Sequence, residues 1–428
     1  MKKVFIAFLA FAVAGGGAFA QGWTFNGFAA GGIGAFFLQD GDPEDVRVAP
    51  INDDTVPGMR ADLHTRFTNA DQNAGLVLHL RTQGNTAANP APGDTTNLSA
   101  WMDVGYGWLN FADNMVTVQG GRIEYGFFNP QDRMMHHGLG GGIGVQTILR
   151  PVDGLALGFA AYSAGSGGMF IDSDDNNRGL FSAKLRFDNP NFRITAGART
   201  RSTVGTNGFG TGTLFVQDFG GGNPSAAYVS FIWLGTADLH LAFTARVTNL
   251  EEFVDYGDMR YYLTVGHTGL VDGLDLRLGL SFGMTMQDEI RENIGTAAAP
   301  AWGALIEDPS PHIWVWFSAA YAVTNRFIPR LDVHYVMGGQ WNNFQRVHHW
   351  GARDGATFNE DDSFLQIRPA FRFQIAAPAY FELGSIVNVD LGHDGRPASW
   401  GGVNAGGARR AAANGINVGA YALMRVSF

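Results

Sequence analysis

Apolar and polar residues alternate at a period of two in eighteen segments of the chain, and turn-type residues separate these segments. In one of them, Leu365, Ile367 and Phe371 alternate with Arg368 and Arg372. Successive side chains of a β-strand point to opposite faces, so the pattern predicts two-faced strands. The predicted strands are residues 24–37, 59–67, 75–82, 101–109, 115–123, 143–150, 155–163, 180–187, 192–201, 227–234, 239–248, 260–267, 274–286, 312–322, 328–337, 364–375, 380–391 and 416–428.

The connections between these segments alternate between short and long. Every second link is short and rich in Gly, Pro, Asn or Asp, which are hairpin residues; examples are 110–114, 151–154, 188–191, 235–238 and 376–379. The other links are longer and polar: 38–58, 83–100, 126–142, 164–179, 202–226, 250–259, 287–311, 338–363 and 392–415. This alternation is typical of barrels with short periplasmic turns and long extracellular loops.

The strand plan predicts an all-β fold, a closed antiparallel transmembrane β-barrel of about 18 strands. The count becomes 16 if the segment 155–163 and its neighbour are misread. A soluble propeller or a β-helix does not require short and long links to alternate, so the pattern argues against both folds. The prediction also agrees with the charged fraction of 16%, because an ordinary soluble domain has about 25%.

The N-terminus has the three parts of a secretory signal peptide. An apolar run follows Lys2 and Lys3, and it leads to the small-residue sequence A-F-A that ends at Ala20. This order predicts a cleaved signal peptide over residues 1–20 and a barrel domain over residues 21–428. The chain has no cysteine, which excludes disulfides, thiolate chemistry and a lipid anchor on cysteine.

Basic residues share the polar side of their predicted strands, and this decides which side meets lipid. An arginine that faces lipid at mid-membrane costs about 2–4 kcal/mol, so the polar side is expected to line a lumen. The residues predicted to line this pore are Arg60, Arg66, His79, Arg81, Lys184, Arg186, Arg193, Arg199, Arg246, Arg277, Arg368 and Arg372. Aromatic residues near strand ends are expected to form girdles on the apolar side: Trp23, Trp101, Trp108, Phe187, Phe192, Trp233, Tyr261, Phe327 and Phe381.

The last predicted strand alternates up to Phe428. This segment resembles the C-terminal signature of Gram-negative-type outer-membrane proteins. With the signal peptide and the strand plan, it makes the chain similar to bacterial outer-membrane porins, without indicating a subfamily. The resemblance implies localisation in the cell outer membrane, contact with its lipid, and Phe428 as the signal read by the barrel-assembly machinery. A homotrimer is also compatible with it.

A barrel of sixteen to eighteen strands leaves a water-filled channel, so the predicted function is passive diffusion of small hydrophilic solutes. Fifteen basic residues against six acidic residues on the polar side favour anions, carboxylates in particular, and this ladder resembles the carboxylate-selective porins of eighteen strands. The solutes expected are therefore small anionic or neutral molecules. Resemblance to porins with an inward-folded loop implies that residues 126–142 form a constriction loop, with the candidates Asp132, Arg133, His136 and His137. The alternative is that this loop folds over the mouth of the barrel.

Other functions have weaker support in the sequence. A surface-exposed structural or adhesin barrel remains an alternative, as does a sugar-selective channel with Trp341, Phe344 and Trp350 as stacking residues. No nucleophile–base pair indicates an enzyme, and no cofactor is implied. Neighbouring histidines such as His136 and His137 point in opposite directions on an extended strand, so no metal site is predicted. The net charge of −10 argues against nucleic acid as a partner.

Overall fold

We describe the fold from a computed structural model of the chain. It describes residues 22–37, 46–51, 60–85, 97–123, 142–163, 179–200, 225–248, 250, 258–285, 290–293, 302–306, 310–337, 363–392 and 416–428. Within these ranges, no helix is long and apolar enough to span a membrane. The signal-peptide segment and the candidate constriction residues Asp132, Arg133, His136 and His137 lie outside them.

The described secondary structure consists of 21 β-strands. They are β1 (Trp23–Phe37), β2 (Val46–Ile51), β3 (Arg60–Thr68), β4 (Ala74–Asn85), β5 (Asn97–Phe111), β6 (Val116–Ile123), β7 (Gly142–Val152), β8 (Leu155–Ser163), β9 (Gly179–Asp188), β10 (Phe192–Arg199), β11 (Ala226–Trp233), β12 (Leu239–Thr248), β13 (Asp258–His267), β14 (Leu274–Thr285), β15 (Ile290–Asn293), β16 (Trp302–Ile306), β17 (Ser310–Tyr321), β18 (Phe327–Met337), β19 (Ser363–Ala376), β20 (Ala379–Gly392) and β21 (Ile416–Ser427).

Eighteen of the described strands form one closed antiparallel barrel, which confirms the predicted fold class and the larger of the two strand counts. Each barrel strand pairs with its neighbours in chain order, and β21 pairs with β1 to close the ring. The main chain of Phe428 continues this closure, because its N–H and C=O each form a 2.9 Å hydrogen bond with Gly27. Strand β2 pairs with one end of β1, and β15 pairs with β16 in a separate hairpin.

The predicted alternation of link lengths is also present. Links of two to six residues join β3 to β4, β5 to β6 and every second pair thereafter, whereas nine or more residues separate the other consecutive barrel strands. One of the two shortest turns, between β7 and β8, contains Asp153 and Gly154. Gly154 has a φ of +78°, and a Cβ atom there would lie 2.3 Å from the carbonyl oxygen of Asp188. Glycine is therefore required at this turn.

The barrel has an apolar face that is exposed and a polar face that is mostly buried. On β14, Leu278 and Phe282 are 49% and 42% exposed. Ser281, which lies on the opposite face of the same strand, is 4% exposed. Among barrel residues whose side chains the structure describes, Arg122 is the one charged residue on the apolar face. It lies one position before the end of β6, at the barrel end where the long links attach. An outward charge costs only about 0–1 kcal/mol near a membrane interface.

Candidate functional site

All twelve residues predicted to line the pore lie on the polar face of the barrel wall. The cross-strand register shows this, because residues directly opposite each other share a face. Asp62 lies opposite Arg81, and His64 lies opposite His79. Between β18 and β19, Asp332 lies opposite Arg368. The aligned strands thus gather side chains that are far apart in sequence.

Basic residues outnumber acidic residues on this face. The bases whose side chains are described are Arg60, Arg66, Arg81, Arg150, Lys184, Arg186, Arg193, Arg199, Arg246, Arg260, Arg277, Arg330, Arg368, Arg372 and Arg425. The described acids are Asp62, Asp188, Asp275, Asp332 and Glu382. Arg150 and Asp188 are additions to the sequence-based set, since each lies at or near a strand end where face assignment from alternation is uncertain.

Glu382 is the centre of a buried ion-pair group on the polar face. The side chain is 5% exposed and lies 3.1 Å from Arg330 Nη1 and 2.9 Å from Arg372 Nη2. The hydroxyl of Tyr421 donates a 3.0 Å hydrogen bond to the other carboxylate oxygen. One buried carboxylate therefore holds two guanidinium groups from β18 and β19 against the wall.

Guanidinium groups also lie over aromatic rings beside this group. Arg372 Cζ is 3.8 Å from the ring centroid of Tyr380, and Arg425 Cζ is 4.0 Å from that of Phe28. Arg60 Cζ lies 5.2 Å from the same Phe28 ring. These five residues form a row across β19, β20, β21, β1 and β3, which we call the seam row. Cation–π contacts of this kind orient guanidinium groups without neutralising their charge.

Asp62 and Asp188 organise two further basic groups. Asp62 is 2% exposed and accepts hydrogen bonds from both Arg60 and Arg81. Asp188 lies 2.6 Å from Arg186 Nε and 2.5 Å from Arg193 Nε. In each case one carboxylate is shared by two arginines, so every such group keeps a net positive charge.

Lys184 lies in a different environment on the same face. Its ammonium group is buried and donates to the hydroxyl of Tyr162 at 3.2 Å and to Gln146 Oε1 at 3.5 Å. Neutral oxygens therefore solvate this cation in the part of the wall formed by β7, β8 and β9.

A cavity of 1210 Å³ opens on the polar face near the short turns after β3 and β5. Arg66 and Arg150 contribute guanidinium groups to it, and Tyr106 and Trp108 contribute rings. Arg66 Cζ lies 5.7 Å from the ring centroid of Trp108. Arg150 donates a 2.7 Å hydrogen bond to the hydroxyl of Thr117. The cavity thus combines positive charge with aromatic surface.

The prediction that Trp108 belongs to a girdle on the apolar face is wrong. Its side chain is 8% exposed and lines the cavity on the polar face. Strand β5 has a β-bulge at Asp103. His79 pairs with Val104 and Leu80 pairs with Met102, so Asp103 has no pairing partner on β4. The alternation changes phase there, so Trp108 faces the same side as Arg66.

Several aromatic residues of the polar face were missed from the sequence. Trp314 and Trp316 are each 4% exposed, and both rings stack against His334. The indole N–H of Trp314 donates a 3.3 Å hydrogen bond to His334 Nδ1. The sequence contained a signal for this placement, because Trp314 and Trp316 alternate with Ile313 and Val315. Tryptophan was nevertheless expected only in the girdles and in the loops.

No protein-family model matches the sequence, and no curated protein matches it. Solved structures are similar over nearly the whole chain. OccAB3 of Acinetobacter baumannii has a TM-score of 0.52 at 7% identity, over 95% of this chain and 99% of that one. The outer membrane protein OprD from Pseudomonas aeruginosa has a TM-score of 0.48 at 9% identity, over 95% and 93% of the two chains.

The anion-selective porin from Comamonas acidovorans has a TM-score of 0.46 at 11% identity, over 95% of this chain and 100% of that one. The likeness to OccAB3 shows that the two chains share a barrel fold.

Proposed function

We propose that the protein is an outer-membrane porin, a passive channel for small hydrophilic solutes with a preference for anions. The observation that carries the proposal is the eighteen-stranded closed barrel with ionised side chains on one face. A barrel of this size is too wide for its own side chains to fill, so water occupies the remaining interior.

The exposed apolar face supports placement in a membrane. Many leucine, valine and phenylalanine side chains on this face are exposed, for example Phe159 at 53% and Leu278 at 49%, and such extended apolar surface is rare on soluble monomers. Within the described side chains, its one charge, Arg122, lies near a strand end. Outer-membrane lipid is the partner of this face in our proposal, with residues 1–20 as the cleaved signal peptide, and a homotrimer would bury part of the same surface.

The excess of arginine supports the anion preference. Fifteen described bases share the polar face with five described acids, and rings of arginine favour anions in pores. A guanidinium group also offers two parallel N–H donors that match a carboxylate. Small carboxylates are therefore the solute class that we propose, and the twelve residues from Arg60 to Arg372 predicted at the outset are its wall contacts.

Planar-bilayer recording tests the channel itself. We expect the refolded protein to open stable, stepwise conductances in potassium chloride. A surface-exposed structural or adhesin barrel with a blocked interior would give no steps after verified folding, and that result would reject the channel. The control is the same preparation left unfolded in urea, which must be silent.

The cavity beside Trp108 favours one alternative, a channel that prefers sugars. Tyr106 and Trp108 offer ring surfaces, and aromatic faces stack on planar or ring-shaped solutes. The two readings separate in liposome-swelling assays. A sugar channel would admit uncharged hexoses faster than carboxylates of similar size, whereas our proposal predicts the opposite order.

Phe428 is proposed as the residue that the barrel-assembly machinery reads. Its ring lies on the apolar face and is 47% exposed, while its main chain already forms two hydrogen bonds with Gly27. We therefore expect Phe428→Ala to keep the fold in refolding experiments but to lower the amount of barrel in the outer membrane of cells severalfold. Val426→Ala, on the same face, is the matched control. Equal amounts of both variants would contradict the role of Phe428.

A further inference from the structure

Two histidines and one aspartate meet on the polar face of β3 and β4. His64 and His79 are direct cross-strand partners, and Asp62 lies two positions from His64 on the same face. One ligand atom from each residue can be chosen so that all three lie within 4.8 Å of one another. We call these three residues the His–Asp cluster; Asp62 and His79 were described above only as parts of the charged wall.

The distances within the cluster are close to those of a shared metal ion. His79 Nε2 lies 3.6 Å from Asp62 Oδ2, and the two imidazole rings have centroids 3.7 Å apart. Zinc binds imidazole nitrogen and carboxylate oxygen at about 2.0–2.2 Å, so two ligands of one ion are separated by roughly 3–4 Å. The His79–Asp62 pair already satisfies this separation. His64 is exposed, so its ring has room to rotate toward the same point.

We propose that the His–Asp cluster binds a divalent transition-metal ion, with Zn²⁺ as the reference ion. Two imidazoles and one carboxylate are ligands that suit zinc, copper and nickel rather than calcium or magnesium. The three protein ligands leave coordination positions for water or a small anion. Metal binding goes beyond the channel proposal and does not depend on it.

Arg60 and Arg81 affect this site in two opposite ways. Both donate hydrogen bonds to the carboxylate of Asp62, and such contacts fix the orientation of a ligand. Their positive charges also repel a cation. We therefore expect weaker binding than at a closed structural zinc site, together with a preference for coordination of an anion at the open positions.

Zinc titration of the refolded protein in detergent tests the proposal, with Co²⁺ absorbance as a second readout of ligand geometry. We expect one Zn²⁺ per barrel in this site, and at least tenfold weaker binding in His79→Gln and in His64→Gln. His240→Gln, on the polar face of β12, is the matched control and should bind as the unchanged protein does. Folding of each variant is verified by heat-dependent migration in electrophoresis.

Equal zinc affinity in the unchanged protein and in both cluster variants would overturn the proposal. An equal loss in His240→Gln would also overturn it, because binding would then be spread over the histidines of the chain. Because His64 is exposed, its variant is expected to fold even if the buried His79 is needed for assembly. Both readouts work without a channel, so a silent bilayer would reject the proposed function and leave this inference intact.

Discussion

Replacing Arg368 and Arg372 together with glutamine is expected to lower the chloride-to-potassium permeability ratio about threefold at 0.1 M salt. A unit charge acts on an ion about 10 Å away through water with about 0.4 kcal/mol, and screening over a Debye length of about 10 Å leaves roughly a third of that. Removing both charges raises the free energy of chloride in the pore and lowers that of potassium. The difference between the two ions therefore changes by about RT. Reversal potentials in a salt gradient measure the ratio.

The matched control for this pair is Arg368→Lys with Arg372→Lys. It keeps both charges but loses the planar, two-point donor geometry. We expect the lysine variant to retain the chloride preference while it binds carboxylates less well. An unchanged ratio in the glutamine variant, with folding verified, would mean that these side chains do not face the conducting path.

Glu382→Ala is expected to destabilise the barrel by roughly 3 kcal/mol, because removing this partner leaves the guanidinium of Arg372 without its carboxylate and Arg330 with only the longer 3.7 Å contact to Asp332. Arg330 and Arg372 would lose their shared carboxylate, and Tyr421 would lose its hydrogen-bond acceptor. The arginine side chains retain 19% and 24% exposure, which places the loss toward the lower end of the range for buried pairs. Urea unfolding in phospholipid vesicles measures the free energy of unfolding.

Glu382→Gln is the control for this prediction, since it keeps the size of the side chain and an acceptor oxygen for Tyr421. Its loss of stability should be smaller, and removal of the negative charge should raise the chloride preference. A loss below about 1 kcal/mol in Glu382→Ala, the range of surface ion pairs, would show that water screens the group more than its burial indicates.

The barrel could be predicted from sequence because alternation and link length are both local properties. The eighteen predicted segments correspond to the eighteen barrel strands, and closure followed from an alternating final strand. Strand β2 and the β15–β16 hairpin were not predicted. They lie within segments that were predicted only as long polar links, because their length was the feature used for those segments.

The face of a residue was predictable as long as the alternation kept its phase. Arg368 and Arg372 lie in a regular part of β19, and their shared face could be read directly from the sequence. Trp108 was misplaced because the irregularity in β5 inserts one residue before it. Partners were harder still, because the opposition of His64 and His79 depends on the register between β3 and β4, which alternation alone does not fix.

The pairing of charges shows the same limit. Asp275 lies 3.0 Å from Arg277 and Asp332 lies 3.7 Å from Arg330, and in each pair the two residues are two positions apart on one strand. Local spacing sufficed for those pairs because residues two apart share a face. The central position of Glu382 was not predicted, because it depends on three neighbouring strands. Predicted site residues in 126–142 lie outside the described part of the chain.

The most direct test of the anion-preferring channel is the reversal potential of the unchanged protein across a tenfold gradient of potassium chloride. We expect a potential of the sign set by chloride, because the described guanidinium groups of the polar face outnumber its described carboxylates. A potential of the sign set by potassium, from a folded and conducting barrel, would contradict it.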